Sequence, residues 1–313
     1  MSRILLTGAA GHTASVLLPR LLEHSSQPDV IAFDRLPGSL QHPRLRWIQG
    51  DLRNADWHAL LTEVDSVIHL AFVVLSPRLG PQHRWRAEMA EINRRGTLRL
   101  LQAATSAGVE RFVYSSSVAV YGAWPDNPVR ITEDQLLRPP PGFAYAEDKA
   151  AVERLMQEHS ARHAQMRLSR LRLHAIVGQH AQPLVNAIAC SPIGLRLPDS
   201  NLPIQCLHED DAATAVLTAW EQGAVGAFNI AAPNPIAWSQ IPRRLPAPIS
   251  PRQLHWLHQR LRPFTRRLGD PGWLLGLQYP LVVDCSRAER ELAWRARYSV
   301  AEALASLPCG KSA

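Results

Sequence analysis

Lysine is almost missing from this sequence: Lys149 and Lys311 stand against 32 arginines. Wherever charge alone suffices the chain uses arginine, so a lysine placed in a pattern is chemically informative. Cysteine is scarce as well. Cys190, Cys206, Cys285 and Cys309 lie 16, 79 and 24 residues apart, with no CxxC pair. That spacing speaks against a zinc knuckle or a disulfide framework and fits a reducing compartment, the cytoplasm. No apolar run approaches the ~18 residues that a spanning helix needs. The opening Met1–Leu6 is apolar but breaks at Thr7-Gly8 and His12, and no small-residue cleavage site follows; it reads as a first strand. Internal repeats and low-complexity tracts are absent.

What is present is globular. The chain has 313 residues, 46% hydrophobic and 19% charged, enough for one large domain or about two ordinary ones. A chain of this size buries about three quarters of the surface its unfolded form exposes. The net charge of +7 is local: between Arg243 and Arg297 eleven arginines face four acids, Asp270, Asp284, Glu289 and Glu291. No recognition motif or aromatic platform accompanies them, so the stretch reads as a basic surface or anion-attracting rim, with no nucleic-acid partner. Within it, residues 254–262 form a basic amphipathic helix ended early by Pro263. Such helices serve as lids, dimer contacts or membrane-surface patches, and a lid or packing helix is expected here.

Short apolar runs alternate with helical patterns over the first 120 residues. Ile4–Leu6, Val30–Phe33, Val67–Ala71 and Phe112–Ser115 read as strands, Ser15–Glu23 and Glu88–Ala107 as helices. Continuous apolar strands separated by helices imply an α/β protein with a parallel sheet covered on both faces. Ligands bind such sheets at the carboxyl ends of their strands. After about residue 175 the pattern loosens, and prolines cluster at 233–251.

Two motifs fall at strand ends. Thr7–Ala14, with Gly8, Gly11, His12 and Thr13, follows a strand and opens a helix. Its glycines admit a pyrophosphate to the backbone, and the helix N-terminus supplies N–H donors. Asp34 closes the second strand 26 residues after Gly8. An acid there accepts ribose hydroxyls and favours NAD over NADP, although Arg35 beside it suits a 2′-phosphate. The second motif is Tyr145-Ala146-Glu147-Asp148-Lys149. Residues four apart share a helix face, and an ammonium there stabilises a tyrosinate. The serines of Phe112–Gly122 place hydroxyls at the rim of the sheet.

Together these residues resemble the extended short-chain dehydrogenase/reductase family, the NAD-dependent epimerase/dehydratase group. The resemblance adds Gly50-Asp51-Leu52, His69-Leu70-Ala71, Asn93–Thr97 (NxxGT), Ser115–Gly122, Leu171–Gly178, His208–Ala213, Phe228–Ile230 and Val283–Trp294. It implies a Rossmann-like doubly wound sheet over 1–172, with returning segments near 204–231 and 281–285. Residues 173–313 would mainly form a smaller, irregular substrate lobe. It implies Tyr145 as acid/base, Lys149 lowering its pKa and holding the ribose, and Ser117 binding the substrate oxygen. Asp51, Leu52, Leu70, Ala71, Asn93, Ser115 and His174 would join Gly8, Gly11, His12, Thr13, Asp34, Arg35, Tyr145 and Lys149 around NAD, and no metal is expected. Hydride would pass between the nicotinamide and a hydroxyl- or carbonyl-bearing carbon of a sugar-like or other small alcohol. Family members often dimerise through a four-helix bundle, so the resemblance implies a homodimer, with the helices at 88–107 and 149–160 as its candidates. Departures exist. Leu173 replaces a proline, Ile204 stands where nucleotide-sugar enzymes carry arginine, and Val118-Ala119 lacks a dehydratase's acidic pair. The competing expectation is a relative that binds NAD(P) without turnover.

Overall fold

The apolar runs form the expected strands because each side of the sheet takes alternate residues. In a computed structural model of the chain, residues 2–74, 82–181, 190, 193–194, 197, 199, 201–241, 245–246, 249–261 and 271–309 are described. Seven parallel strands make one sheet: β1 (Arg3–Thr7), β2 (Asp29–Asp34), β3 (Leu45–Gln49), β4 (Ser66–His69), β5 (Arg111–Ser117), β6 (Arg167–Leu173) and a late strand, Gly226–Ile230. The order runs β3-β2-β1-β4-β5-β6 and then Gly226–Ile230 at the edge. Chain direction across the sheet reverses between β1 and β4, so the loops leaving those strands diverge and open a crevice.

Ile4 and Leu6 point to one face with Val30, Ala32, Ile68, Val113 and Leu171. There they meet helix α1 (His12–Leu22) and the helix Glu209–Glu221. Leu5, Ile31, Phe33, Val67, Phe112 and Leu168 point to the other face, against Leu100, Leu101, Val152 and Met156. Each fully buried Leu, Ile or Phe contributes about 1.5–3 kcal/mol. This double burial is the doubly wound α/β architecture expected from the sequence.

The structure corrects three details. The single helix expected at 88–107 starts earlier and is not uniform: Gln82–Ala90 passes through a π-helical turn, Glu91–Gly96, into Thr97–Ser106. A π turn, with its i→i+5 bonds, is frequent at functional sites. The edge strand β3 carried no apolar run because it is only partly covered. Finally, Cys190 and Cys309 form a disulfide across 119 residues, against the expectation of none. Sequence spacing does not report proximity, and both segments meet around Val177, Cys206, Val300 and Leu307. Disulfides persist in oxidising settings, so cysteine usage no longer supports a cytoplasmic location. Among the described residues no helix is long and apolar enough to cross a membrane. The expected helix end at Arg262-Pro263, and Lys311, lie outside the described residues.

Tyr145 and Lys149 both lie on the helix Ala144–Arg162, labelled α2; the helix Pro251–Leu261 is α3. Glu153 of α2 is fully buried and bonds Arg172 of β6 through Nε at 3.0 Å and Nη2 at 2.7 Å. Ser116 also donates to Glu153, and Arg172 continues to the Tyr121 hydroxyl at 2.6 Å. Tyr121 in turn donates to Asn229 at 2.7 Å. Removing one partner of such a pair strands a buried charge, at about 3–5 kcal/mol. Glu153→Gln should therefore lower the unfolding free energy by roughly that amount in urea titrations; a loss below about 1 kcal/mol, the scale of an exposed pair, contradicts this assignment.

Candidate active site

The opening glycine of the Thr7–Ala14 loop is dictated by backbone packing. Gly8 has φ +73°, and a Cβ there would sit 2.5 Å from the Ala71 nitrogen and 2.7 Å from its Cα. Its N–H donates to Phe33 O at 2.9 Å, and Leu70 N donates to Thr7 O at 3.0 Å. The ends of β1, β2 and β4 are thus laced together, with Leu70 and Ala71 directly over Gly8. Gly11 is the N-cap of α1 and offers no side-chain acceptor to the first helical N–H groups, which leaves them as donors for an anion. Thr13 is half-buried at that end, and His12 is exposed.

Asp34 ends β2 with Oδ2 accepting from Ala10 N and Oδ1 from Leu36 N, both at 3.0 Å. The carboxylate is thereby fixed at the lip of the loop, as a ribose acceptor must be; Arg35 beside it is exposed. Asp51 is held by Arg53, whose Nη2 donates at 2.8 Å, and that contact keeps its carboxyl below the usual range. Leu52 is buried against Gly96.

The predicted catalytic residues converge at the end of β5. Lys149 is only 3% exposed. Its Nζ donates to Ser115 O and lies 3.9 Å from the Phe72 ring centroid, 4.7 Å from Tyr114 and 6.0 Å from Tyr145. Burial pulls its pKa down to about 7, while the charges of Glu153 and Asp148 oppose the fall. Tyr145 is half-buried, edge-on to Phe72 at 5.3 Å. Burial pushes its phenol up, and hydrogen bonding with Ser117 works the other way. Without cofactor, desolvation outweighs the Ser117 hydrogen bond, while the Lys149 ammonium is committed to Ser115 O. Ser117 itself caps the following turn through Ala119 N at 3.2 Å.

Beneath them His69 bridges two threonines. Thr97 spends its only proton on Asn93 O at 2.6 Å, so it accepts from His69 Nε2 at 2.8 Å. His69 Nδ1 is then the acceptor for the Thr7 hydroxyl at 2.6 Å. Burial, helped by the charge of Lys149, lowers the His69 pKa to about 3, so the ring stays neutral as a spacer.

Two predicted cofactor residues are hydrogen-bonded within the chain. Asn93 is buried and brackets Val73, accepting from its N–H at 2.8 Å and donating to its carbonyl at 3.1 Å. It also donates to Asp148 at 3.2 Å, so it braces the site from behind. His174 donates through Nε2 to Leu281 O at 3.1 Å, while Nδ1 accepts from Ala175 N at 2.8 Å. Both nitrogens are thus engaged, and burial lowers its pKa to about 4.

Sequence reasoning missed Phe72 and the clamp on Asp148. That carboxylate is fully buried and takes Arg86 at 2.7 Å and Arg94 at 2.6 Å. Its signal was an acid next to the rare lysine in a motif whose face must be buried; such an acid requires cations. Among the described residues no group of three or more His, Cys, Asp or Glu side chains could hold a metal ion.

A family model for the NAD dependent epimerase/dehydratase family matches residues 4–231. The chain belongs to that family. It is similar to an uncharacterized protein of Mycobacterium tuberculosis strain H37Rv, 28% identical over 311 residues and covering 96% of this chain and 81% of that one. A dTDP-glucose 4,6-dehydratase of Streptomyces griseus is 30% identical over 246 residues, 73% of each chain. Among solved structures, MoeE5 in complex with UDP-glucuronic acid and NAD superposes with a TM-score of 0.75 at 24% identity, covering 97% of both chains. This fold and NAD as cofactor go together in the family, and the chain's crevice fits that group: a side-chain-free turn at Gly8, uncapped donors on α1 and a fixed acceptor at Asp34.

Gly8→Ala tests the cradle. A left-handed alanine costs about 1–2 kcal/mol, and its methyl would also push Ala71 backbone out of place. NAD affinity should fall at least tenfold in calorimetric titration; affinity within twofold of the parent would contradict the assigned loop.

Proposed function

We propose that this family member is an NAD-dependent oxidoreductase or epimerase acting on a hydroxyl- or carbonyl-bearing carbon, with Tyr145 as its acid/base. One observation carries the reading: a phenol, a hydroxyl and the rare ammonium meet at the carboxyl end of β5, next to the glycine loop. Bound NAD supplies the acceptor for the hydride that leaves the substrate carbon. With Tyr145 as the tyrosinate, the hydroxyl proton of that carbon would pass to its Oη as the C–O bond becomes a carbonyl, and Ser117 Oγ would hold the same oxygen. The reverse reaction returns the proton from Tyr145.

Each unit by which a phenol must be lowered toward neutrality requires about 1.4 kcal/mol of electrostatic help. Hydrogen bonding with Ser117 acts in that direction in the protein alone, and Lys149 is placed to assist once a ribose engages it. Gly8, Gly11, Thr13 and Asp34 would hold the dinucleotide, with His12, Leu70 and Ala71 beside it. Residues from 173 onward outside the sheet would shape the substrate side.

The substrate is a sugar-like or other small alcohol. The sugar-nucleotide names of the relatives support the first, whereas Ile204, half-buried and paired with Ile236, supplies no charge for a nucleotide diphosphate. No acid stands beside Ser117, since Val118 and Ala119 follow it, which speaks against dehydration. A homodimer through the helices at 88–107 and 149–160 completes the proposal.

Tyr145→Phe removes only the proton-exchanging oxygen. NAD binding should stay within about twofold while turnover of alcohols or sugar nucleotides, followed at the NADH band or by product analysis, falls about 10²–10⁴-fold. Unchanged turnover overturns Tyr145 as acid/base. Tight NAD binding with no turnover of any substrate class by the parent protein supports the non-catalytic alternative instead.

A further inference from the structure

Of the large apolar side chains exposed among the described residues, three sit within six positions on α3: Trp256 at 56%, Leu257 at 36% and Leu261 at 45%. Arg252, Gln253 and Arg260 are exposed beside them. Spacings of four and eight place these residues on one face of the helix. Arg260 lies over the Trp256 ring at 4.4 Å, so the guanidinium and the indole form a single amphipathic surface. The sequence around α3 is uncompensated: from Arg243 to Gly269 it holds seven arginines and no acid.

The opposite side of α3 is occupied. There Leu254 and His255 are half-buried and the helix packs on the 3₁₀ turn Pro271–Leu277, while Arg252, at the edge of the free face, donates through Nε to Gln278 at 2.8 Å. That turn reaches the active site, since Gly272 lies against the Phe143 ring and Phe143 stands 5.8 Å from Tyr145. The free face of α3 is therefore two packing layers from the phenol.

We propose that α3 is an interfacial helix that seats the protein reversibly on an anionic lipid bilayer, next to the mouth of the active site. Trp and Leu beside Arg is the composition that partitions into the boundary between headgroups and acyl chains. Charge decides against a second copy of the same face, because α3 carries Arg252 and Arg260 and no acid, so two such faces repel. The apolar residues decide against a nucleic acid, which would use the arginines but leave Leu257 and Leu261 exposed. The anchor is weak by construction, being eleven residues of helix with a small apolar face, so binding needs the anionic charge as well as the apolar contact. The inference stands apart from the hydride chemistry, because its readout is binding.

The test is co-sedimentation of the purified full chain with phosphatidylcholine vesicles and with vesicles of about equal phosphatidylcholine and phosphatidylglycerol. The anionic vesicles should bind at least tenfold more strongly, and binding should weaken steeply between about 50 and 500 mM salt as charges are screened. Arg252→Gln and Arg260→Gln should each weaken it about fivefold. Trp256→Ser should weaken it at every salt concentration. Far-UV circular dichroism and NAD affinity unchanged in these variants show that the fold is intact. Equal binding to both vesicle types overturns the proposal. So does anionic binding that the three substitutions leave untouched, or a single-stranded RNA that competes the protein off the vesicles and binds the Trp256→Ser variant as well as the parent.

Discussion

The structure is organised around one costly act, the burial of an ammonium. Lys149 is nearly free of solvent, and removing a charge from water is expensive unless neighbours replace the water. The neighbours are specific: a carbonyl at the end of β5, three aromatic faces, and two carboxylates on its own helix. Even so, desolvation prevails and brings the group to about 7. A lysine that changes charge near neutrality beside a phenol is useful for proton exchange, whereas an arginine in its place could never release its proton. Under the proposed function, that difference is what a lysine supplies here in a chain with 32 arginines.

The two carboxylates are themselves buried and bring their own cations. Asp148 draws in Arg86 and Arg94, together with the Asn93 amide from the π-helical turn. Glu153 draws in Arg172, Ser116 and, through Arg172, Tyr121 and Asn229. The buried side of α2 is therefore a line of charges tied to the helical passage at 82–106 on one side and to β5, β6 and Gly226–Ile230 on the other. Positioning of Tyr145 and Lys149 results from this lattice, because α2 can neither slide nor rotate without stranding a charge. His69, neutral between Thr7 and Thr97, ties the same lattice to β1 and hence to the glycine loop.

Much of this was legible in the residues. The apolar runs of β1, β2, β4 and β5 had no alternative environment than a sheet covered on both faces, Gly8 and Asp34 fell at strand ends, and the Tyr145–Lys149 spacing fell on one helix face. What escaped was what depends on packing across long sequence distances. The Cys190–Cys309 disulfide, the partners of Asp148 and the position of Phe72 over Lys149 join segments that sequence spacing does not relate. His174 carried a family resemblance, yet Leu281 and Ala175 occupy both its nitrogens. The dry surroundings of Tyr145, which raise its phenol in the protein alone, are not named by a motif.

The central claim is that Lys149 is desolvated enough to titrate near neutrality, and the scarcity of lysine makes it directly measurable. With lysine labelled with ¹³C at Cε, the cofactor-free protein should show two lysine signals, from Lys149 and Lys311, and Lys149→Arg identifies which is which. The structure requires the Lys149 signal to titrate with a midpoint near 7, while Lys311 serves as an internal reference. A Lys149 midpoint at the ordinary value of 10.5 would contradict the burial on which the site is built.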